Sequence, residues 1–523
     1  MLWITCAAIF TLIFLYYKLL KPIRYWEERD VPHVKAWPVF GSLKPFVLKK
    51  KHLTEVLNDI YKQHPNERCV GYMQFTRPFL MIKDLELIKR ITIKDFDHFH
   101  DHLAFENLKS DPLLSRSVMS LSGENWRRMR ATLSPVFTSG KMRIIYNLVT
   151  ECAENFVKHF QDKENVPIEM KDVFSRFAND VIATTAFGVS VDSLANPDND
   201  FFKMGSNFTS FSVATIVKIF LLQTMPVLAN LLQIQLFTDD VSLFFRNLVK
   251  DNIKKRETEG IVRPDLIHML MEARKGHLNP DSAKEREESL MCLSEEVKNA
   301  APLELSDDDI VAQALAFFFA GFDTVSTGSS FMAHELALHP EVQKKLQLEV
   351  DSVNKEHSGK VPYEAIQTMK YLDQVVCETL RLWPPGFQTD RLCSKDYVIE
   401  PKNPKEKVVF VAKGSSVMIP IFSLHRDPKY FYDPDKFDPE RFSEENKGEI
   451  VPGTYLPFGM GPRNCIGLRF ALLEMKVLFF HLLLNFIIVP VEETAIPLKI
   501  SPKKINFAPE NGFQLSLKPR TKR

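Results

Sequence analysis

Eleven residues near the C-terminus restrict the fold more than any other feature: Pro457-Phe458-Gly459-Met460-Gly461-Pro462-Arg463-Asn464-Cys465-Ile466-Gly467, followed by the apolar helical stretch LRFALLEMKVLFFHLLL. Glycine and proline at this density dictate a tight loop. The loop delivers one thiol, Cys465, near a helix N-terminus, where unpaired N–H groups and the macrodipole favour a thiolate. Arg463 is a fixed cation suited to a ligand carboxylate, and Gly467 lets the backbone pass close to a flat ligand. A lone cysteine is ordinarily a small buried hydrophobe, so context must decide. A dinucleotide fingerprint does not fit, because Gly459-x-Gly461 is followed at 464 by Asn and the loop contains Pro462 and Arg463; no Walker sequence is present either.

Bulk properties narrow the classes. The chain has 523 residues, 45% of them hydrophobic and 41 of them Phe, which is ample for a large core. Length alone suggests several domains, a soft prior. The net charge of +1 provides no global field for nucleic acid. Seven scattered cysteines without a Cys-x-x-Cys pair form neither a disulfide framework nor a zinc ribbon, and fit a reducing compartment.

Residues 1–17 carry no charged side chain, and the apolar run continues past Lys18 to Leu20, before Lys21 and Arg24. A helix of ~20 residues spans ~30 Å, one hydrocarbon core. No charged segment precedes the run and no A-x-A-like site follows it, which argues against a cleaved signal. The basic excess on its C-terminal side places the main body in the cytosol. We therefore expect a membrane anchor over 1–20, a basic, proline-containing hinge over 21–45 and a catalytic domain over 46–523. The sequon at Asn207 should be unused.

Long amphipathic stretches at 141–160, 241–257, 308–335 and 340–355 predict a mainly helical body. Alternating segments near 69–82, 393–419 and 496–518 predict small peripheral sheets. Residues 272–307 read as a polar connector. The Phe-rich region 201–245 reads as core or as an apolar lid.

Three further groupings stand out. Ala320 and Thr324 share a helical face, Ala320 and Gly321 leave room beside it, and Asp323 and Thr324 put polar groups in an apolar segment. On the residues alone these could be a Thr bonded back to a carbonyl and an Asp near solvent. Glu378 and Arg381 lie one turn apart, with Arg441 downstream in Pro439-Glu440-Arg441-Phe442. Trp126 and Arg130 share one helical face, and core packing is the plainer account of Trp126.

These residues, in this order, resemble the cytochrome P450 family: W-x-x-x-R, A-G-x-D/E-T, E-x-x-R, P-E-R-F and the loop F-x-x-G-x-R-x-C-x-G, from about residue 30 to the C-terminus. The wording of the motifs is most similar to microsomal enzymes of insects that metabolise xenobiotics. The resemblance implies one large, mainly α fold with small peripheral β-sheets behind an N-terminal transmembrane helix. It implies haem b, with Cys465 as the iron ligand and Phe458, Ala320 and Gly321 around the macrocycle. Trp126, Arg130, Arg463 and Arg391 would serve the propionates. Thr324 and Asp323 would handle oxygen and protons, and Glu378, Arg381 and Arg441 would form a buried structural network.

The implied activity is oxygen insertion into lipophilic small molecules, at the cytosolic face of the endoplasmic reticulum membrane. Electrons would come from a separate NADPH-dependent cytochrome P450 reductase, with cytochrome b5 a further partner. Arg127, Arg128, Lys141 and Arg143 are candidates for the docking patch, although an ordinary solvated face explains them equally well. Substrate-facing positions by family layout are the 101–120 segment, Phe211, Phe318, Phe319, Ala320 and the surroundings of Phe387 and Phe513. The alternatives are a haem-thiolate isomerase or dehydratase that does not use oxygen, and a non-catalytic haem or lipophile binder.

Overall fold

An apolar run needs a strong start signal to become a helix of defined register, and Ser306 supplies one. Its hydroxyl accepts the Asp309 N–H while the Asp309 carboxylate accepts the Ser306 N–H, a capping box backed by Asp307 and Asp308 at the positive end of the helix dipole. The computed structural model describes residues 3–6, 9, 13, 16–103, 111, 113–163, 166–209, 217–218, 220–222, 226–235, 239–275 and 303–520. Its longer helices are α1 (Leu53–Gln63), α2 (Gly123–Leu133), α3 (Ser139–Phe160), α4 (Met170–Ala186), α5 (Asp200–Thr209), α6 (Asp239–Glu259), α7 (Leu266–Arg274), α8 (Asp307–Leu338), α9 (Pro340–Glu356), α10 (Lys370–Leu382) and α11 (Leu468–Asn485).

α8 is the axis of the molecule. It is apolar almost all round, which requires neighbours on every side. α4 covers it most extensively, with α5, α6, α7, α9, α10 and α11 around the rest. Every residue from Ile310 to Ala316 is buried. α8 ends at Leu338, two residues before Pro340, which opens α9.

The strands form a separate, smaller layer. β1 (Cys69–Gln74) and β2 (Arg77–Ile82) make a hairpin in which Cys69 faces Ile82, and β2 runs parallel to β7 (Ser416–Ile419), which pairs with β4 (Thr389–Leu392). β5 (Tyr397–Ile399) and β6 (Val409–Val411) form a second hairpin. β8 (Phe486–Pro490) pairs with β9 (Gln514–Pro519), whose other edge holds β3 (Ile168–Glu169). Of the expected third strand region, only its end is strand; its partner β8 follows directly on α11. One apolar core surrounds α8 and a second lies under β1, β2 and β7.

No helix of membrane-spanning length appears at the N-terminus among the described residues. The segment 16–24 is two short helical turns, and among the described residues the one helix long and apolar enough to span a bilayer is α8, a mostly buried core helix. Residues 276–302 of the expected connector lie outside the described residues, as do 104–110, Phe211, Phe237 and the Asn207 side chain.

Candidate active site

The loop before α11 closes on itself. The Cys465 N–H donates to the Phe458 carbonyl at 2.8 Å, and the Asn464 N–H to the Gly461 carbonyl at 2.9 Å. Gly461 sits at φ +77°, and a Cβ there would stand 1.9 Å from the Thr92 carbonyl oxygen, so conformation and clearance both demand glycine. At Gly467 a Cβ would meet nothing within 4 Å.

That open space belongs to a cavity of about 440 Å³ between the loop and α8. From the loop it is lined by Phe458, Gly459, Arg463, Cys465, Ile466 and Gly467. α8 contributes Phe317, Phe319, Ala320, Gly321, Asp323 and Thr324, and the remaining walls include Met119, Phe137, Ile182 and Gly386. Ala320, Thr324 and Cys465 are exposed although they lie deep in the fold, because this cavity faces them. A single thiol opposite a small-residue helix face cannot hold a bare ion, and no cluster of three or more His, Cys, Asp or Glu suited to a metal occurs among the described residues. The arrangement fits a metal that brings its own in-plane ligands. The family model described as Cytochrome P450 matches residues 31–516.

The chain belongs to the cytochrome P450 family.

It is 42% identical to "Cytochrome P450 9e2" of Blattella germanica over 514 residues, 95% of this chain and 94% of the relative. To "Probable cytochrome P450 9f2" of Drosophila melanogaster it is 40% identical over 508 residues, 95% of each chain. To "Cytochrome P450 6j1" of Blattella germanica it is 36% identical over 519 residues, 98% of this chain and 97% of the relative. Membership makes the protein a haem b monooxygenase that works with a redox partner on lipophilic compounds, xenobiotic or endogenous.

The residues present fit haem b. Besides the thiol and the clearance at Gly467, Arg391 is wholly buried with Nε lacking a hydrogen-bond partner, a donor suited to a carboxylate. The other Arg391 bonds go to Thr389 Oγ1 at 3.1 Å, the Asp390 carbonyl at 2.7 Å and, weakly, the Met460 carbonyl at 3.4 Å. Arg463 lines the cavity, yet much of its guanidinium is engaged: Nε donates to the His100 carbonyl at 2.6 Å, and Nη2 to the Leu121 carbonyl at 2.9 Å and Asp101 at 3.2 Å. Its Cζ lies 3.9 Å from the ring centroid of Trp126, which is buried against Phe96 and does not line the cavity. Arg130 reaches Asn464 Oδ1 at 2.8 Å and so ties α2 to the loop.

Several expectations change. The protein packed around Cys465 pushes its thiol pKa up, while the Gly467 backbone N–H and the Arg130 charge pull it down. Phe318 does not face the cavity: it packs among Phe187, Phe201, Phe245 and Phe322, and a Cβ on Gly205 would come within 2.2 Å of its ring. Phe513 is core as well, set edge-on to Phe331. Phe317 and Phe319 face the cavity in place of Phe318. Gly321 borders the cavity but also takes Ile182, whose Cδ1 would stand 3.0 Å from a Cβ there. The Thr324 hydroxyl donates back to the Ala320 carbonyl at 2.5 Å. Asp323 is ion-paired to Lys171 at 2.8 Å.

Glu378, Arg381 and Arg441 come together. Arg381 donates to both Glu378 oxygens at 2.7 and 2.8 Å, with both residues fully buried, and Arg441 Nε lies 3.4 Å from Glu378. Spare donors go to the His425, Pro434 and Lys436 carbonyls, while the Asp438 N–H reaches Glu378. Two residues around the site escaped sequence reasoning. Lys171 opens a helix like any surface lysine, and His425 sits in an unremarkable short helix; only their partners, distant in sequence, give them meaning.

Proposed function

We propose that this cytochrome P450 hydroxylates lipophilic small molecules from the cytosolic face of the endoplasmic reticulum. Residues 1–20 anchor it, 21–45 form the hinge, 46–523 do the chemistry, and an NADPH-dependent reductase supplies the electrons. One observation carries the catalytic reading: Ala320 and Thr324 present small and hydroxyl groups across an apolar cavity from Cys465. The uncharged run 1–17 and its basic flank support the anchor.

When bound, haem supplies oxygen activation and the oxidation of C–H bonds. Cys465 would hold its iron; Arg463, Arg391 and Arg130 would hold its propionates, with Trp126 bracing Arg463; Phe458, Ala320 and Gly321 would flank its faces. Phe137, Phe317, Phe319 and Ile182 exclude water and orient an apolar substrate. Thr324 can exchange its bond to the Ala320 carbonyl for one to an oxygen in the cavity, and Asp323, the residue before it, would relay the proton that replaces the one Thr324 gives up. Glu378, Arg381 and Arg441 fix the chain that leads to the Cys465 loop.

The electron donor docks on the side of α2 and α3 that carries Arg127, Arg128, Lys141 and Arg143, where Arg127 also meets Asp97 and Arg143 meets Glu364. Cytochrome b5 would use the same face. Arg128→Glu should raise the reductase concentration needed for half-maximal turnover; an unchanged titration removes this docking face. The decisive test is the absorption spectrum of the reduced, carbon-monoxide-bound protein, together with substrate-dependent consumption of oxygen and NADPH. A thiolate-type spectrum lost in Cys465→His, with consumption coupled to product, is expected. A histidine-type spectrum in the unaltered protein overturns the assignment of Cys465.

A further inference from the structure

Asp323 borders the haem cavity, but its carboxylate is held from the opposite side. Lys171, the second residue of α4, sets Nζ 2.8 Å from Asp323 Oδ1, 3.0 Å from the Asp323 carbonyl, 2.6 Å from Ser326 Oγ and 2.8 Å from Thr327 Oγ1. Four acceptors saturate the three protons of an ammonium. The lysine side chain keeps 18% of its surface accessible, and it does so into a second cavity of about 580 Å³. Val47, Phe75, Phe220 and the 502–506 loop line that cavity. From the same loop, Asn506 Nδ2 approaches Asp323 Oδ1 at 3.5 Å. Among the described residues both donors use Oδ1, and none uses Oδ2.

The ion pair therefore lies between two cavities, with Lys171 lining the second and Asp323 bordering the haem cavity. Stapling α4 to α8 does not require a cation, since apolar side chains would do it without the desolvation cost of a part-buried charge. What a cation adds is a fixed charge and a fixed rotamer for Asp323.

We propose that Lys171 is a positioning residue for Asp323: it clamps Oδ1 from the second cavity, leaves Oδ2 to serve the haem cavity, and makes the second cavity the side from which water reaches the pair. The proposal rests on the reading of Asp323 as a proton-handling residue.

The test uses the full chain with its haem and reductase. In Lys171→Ala, product formed per NADPH should fall by about tenfold, less than the roughly 10²–10⁴-fold that a general acid or base itself contributes. The carbon-monoxide spectrum should be unchanged. Ethylammonium, which replaces the missing end of the side chain, should restore the ratio with dose, while neutral 1-propanol should not. A second readout needs no turnover: saturation-transfer NMR should detect ethylammonium on Lys171→Ala, but neither on the unaltered protein nor on Lys171→Ala combined with Asp323→Asn.

Normal coupling in Lys171→Ala, or equal rescue by propanol, overturns the proposal. If that variant takes up no haem, Lys171→Gln decides, because it keeps N–H donors on a side chain one atom shorter and removes the charge; full coupling there is equally fatal. Asp323→Asn separates the two layers. Lost coupling in Asp323→Asn with coupled Lys171 variants removes Lys171 alone, whereas coupled Asp323→Asn removes the underlying reading of Asp323.

Discussion

His425 accepts the backbone N–H of Leu456 on Nε2 at 2.8 Å. Its Nδ1 lies 3.0 Å from the Arg381 carbonyl, so the ring carries its proton on Nδ1. One fully buried imidazole thus links the end of α10 to the residue that precedes the Cys465 loop. Glu378 and Arg381, on the same helix, reach the loop through it.

Burial drives the His425 pKa down to about 3, although the Arg381 carbonyl opposes the shift. The folded protein thus refuses a proton that the unfolded chain accepts below its usual value of about 6.5. The stability contributed is complete above that value and is lost as pH falls from there toward 3. His334 and His481, both lowered by burial to about 4, act in the same direction. His425→Phe should make the acid-side fall of melting temperature shallower. It should also lower stability at neutral pH by about 1–3 kcal/mol through the unsatisfied Leu456 N–H. Thermal melts across pH 4–8 check both.

Glu378→Gln should be among the most damaging single changes. Removing one partner of a fully buried pair leaves an uncompensated charge, at roughly 3–5 kcal/mol. Loss of the carbon-monoxide signal in freshly expressed protein, with a lower urea midpoint, is the expected result.

Thr324→Ala should separate stability from chemistry. The hydroxyl faces the cavity and, among the described residues, bonds only back along its own helix, so stability should change by less than about 0.5 kcal/mol. Product per NADPH should fall and peroxide rise, with Thr324→Ser close to normal. A Thr324→Ala enzyme that stays fully coupled contradicts the assigned role.

Adjacent phenylalanines should give opposite results. Phe318→Ala, in the aromatic core, should cost about 3–5 kcal/mol and leave the product distribution unchanged among molecules that still fold. Phe319→Ala, on the cavity wall, should shift the product distribution at little cost in stability. A substrate panel with product analysis, beside chemical denaturation, distinguishes them.

The main helices and the ligand loop were legible in the residues alone. Gly459 and Gly461 could be only a loop, the motif around Cys465 marked it as the ligand, and periodicity located α3, α6, α8 and α9 to within a few residues. It also brought Glu378 to Arg381, because residues one helical turn apart must meet. Tertiary structure decided every relationship between segments remote in the chain: Lys171 on Asp323, His425 on Leu456, and Arg463 on the carbonyls of the 100–121 segment. It also decided that Phe317 and Phe319, rather than Phe318, face the cavity. On a helix that is apolar all round, periodicity marks no side as inner, and the neighbours packed against each side choose which one is left open.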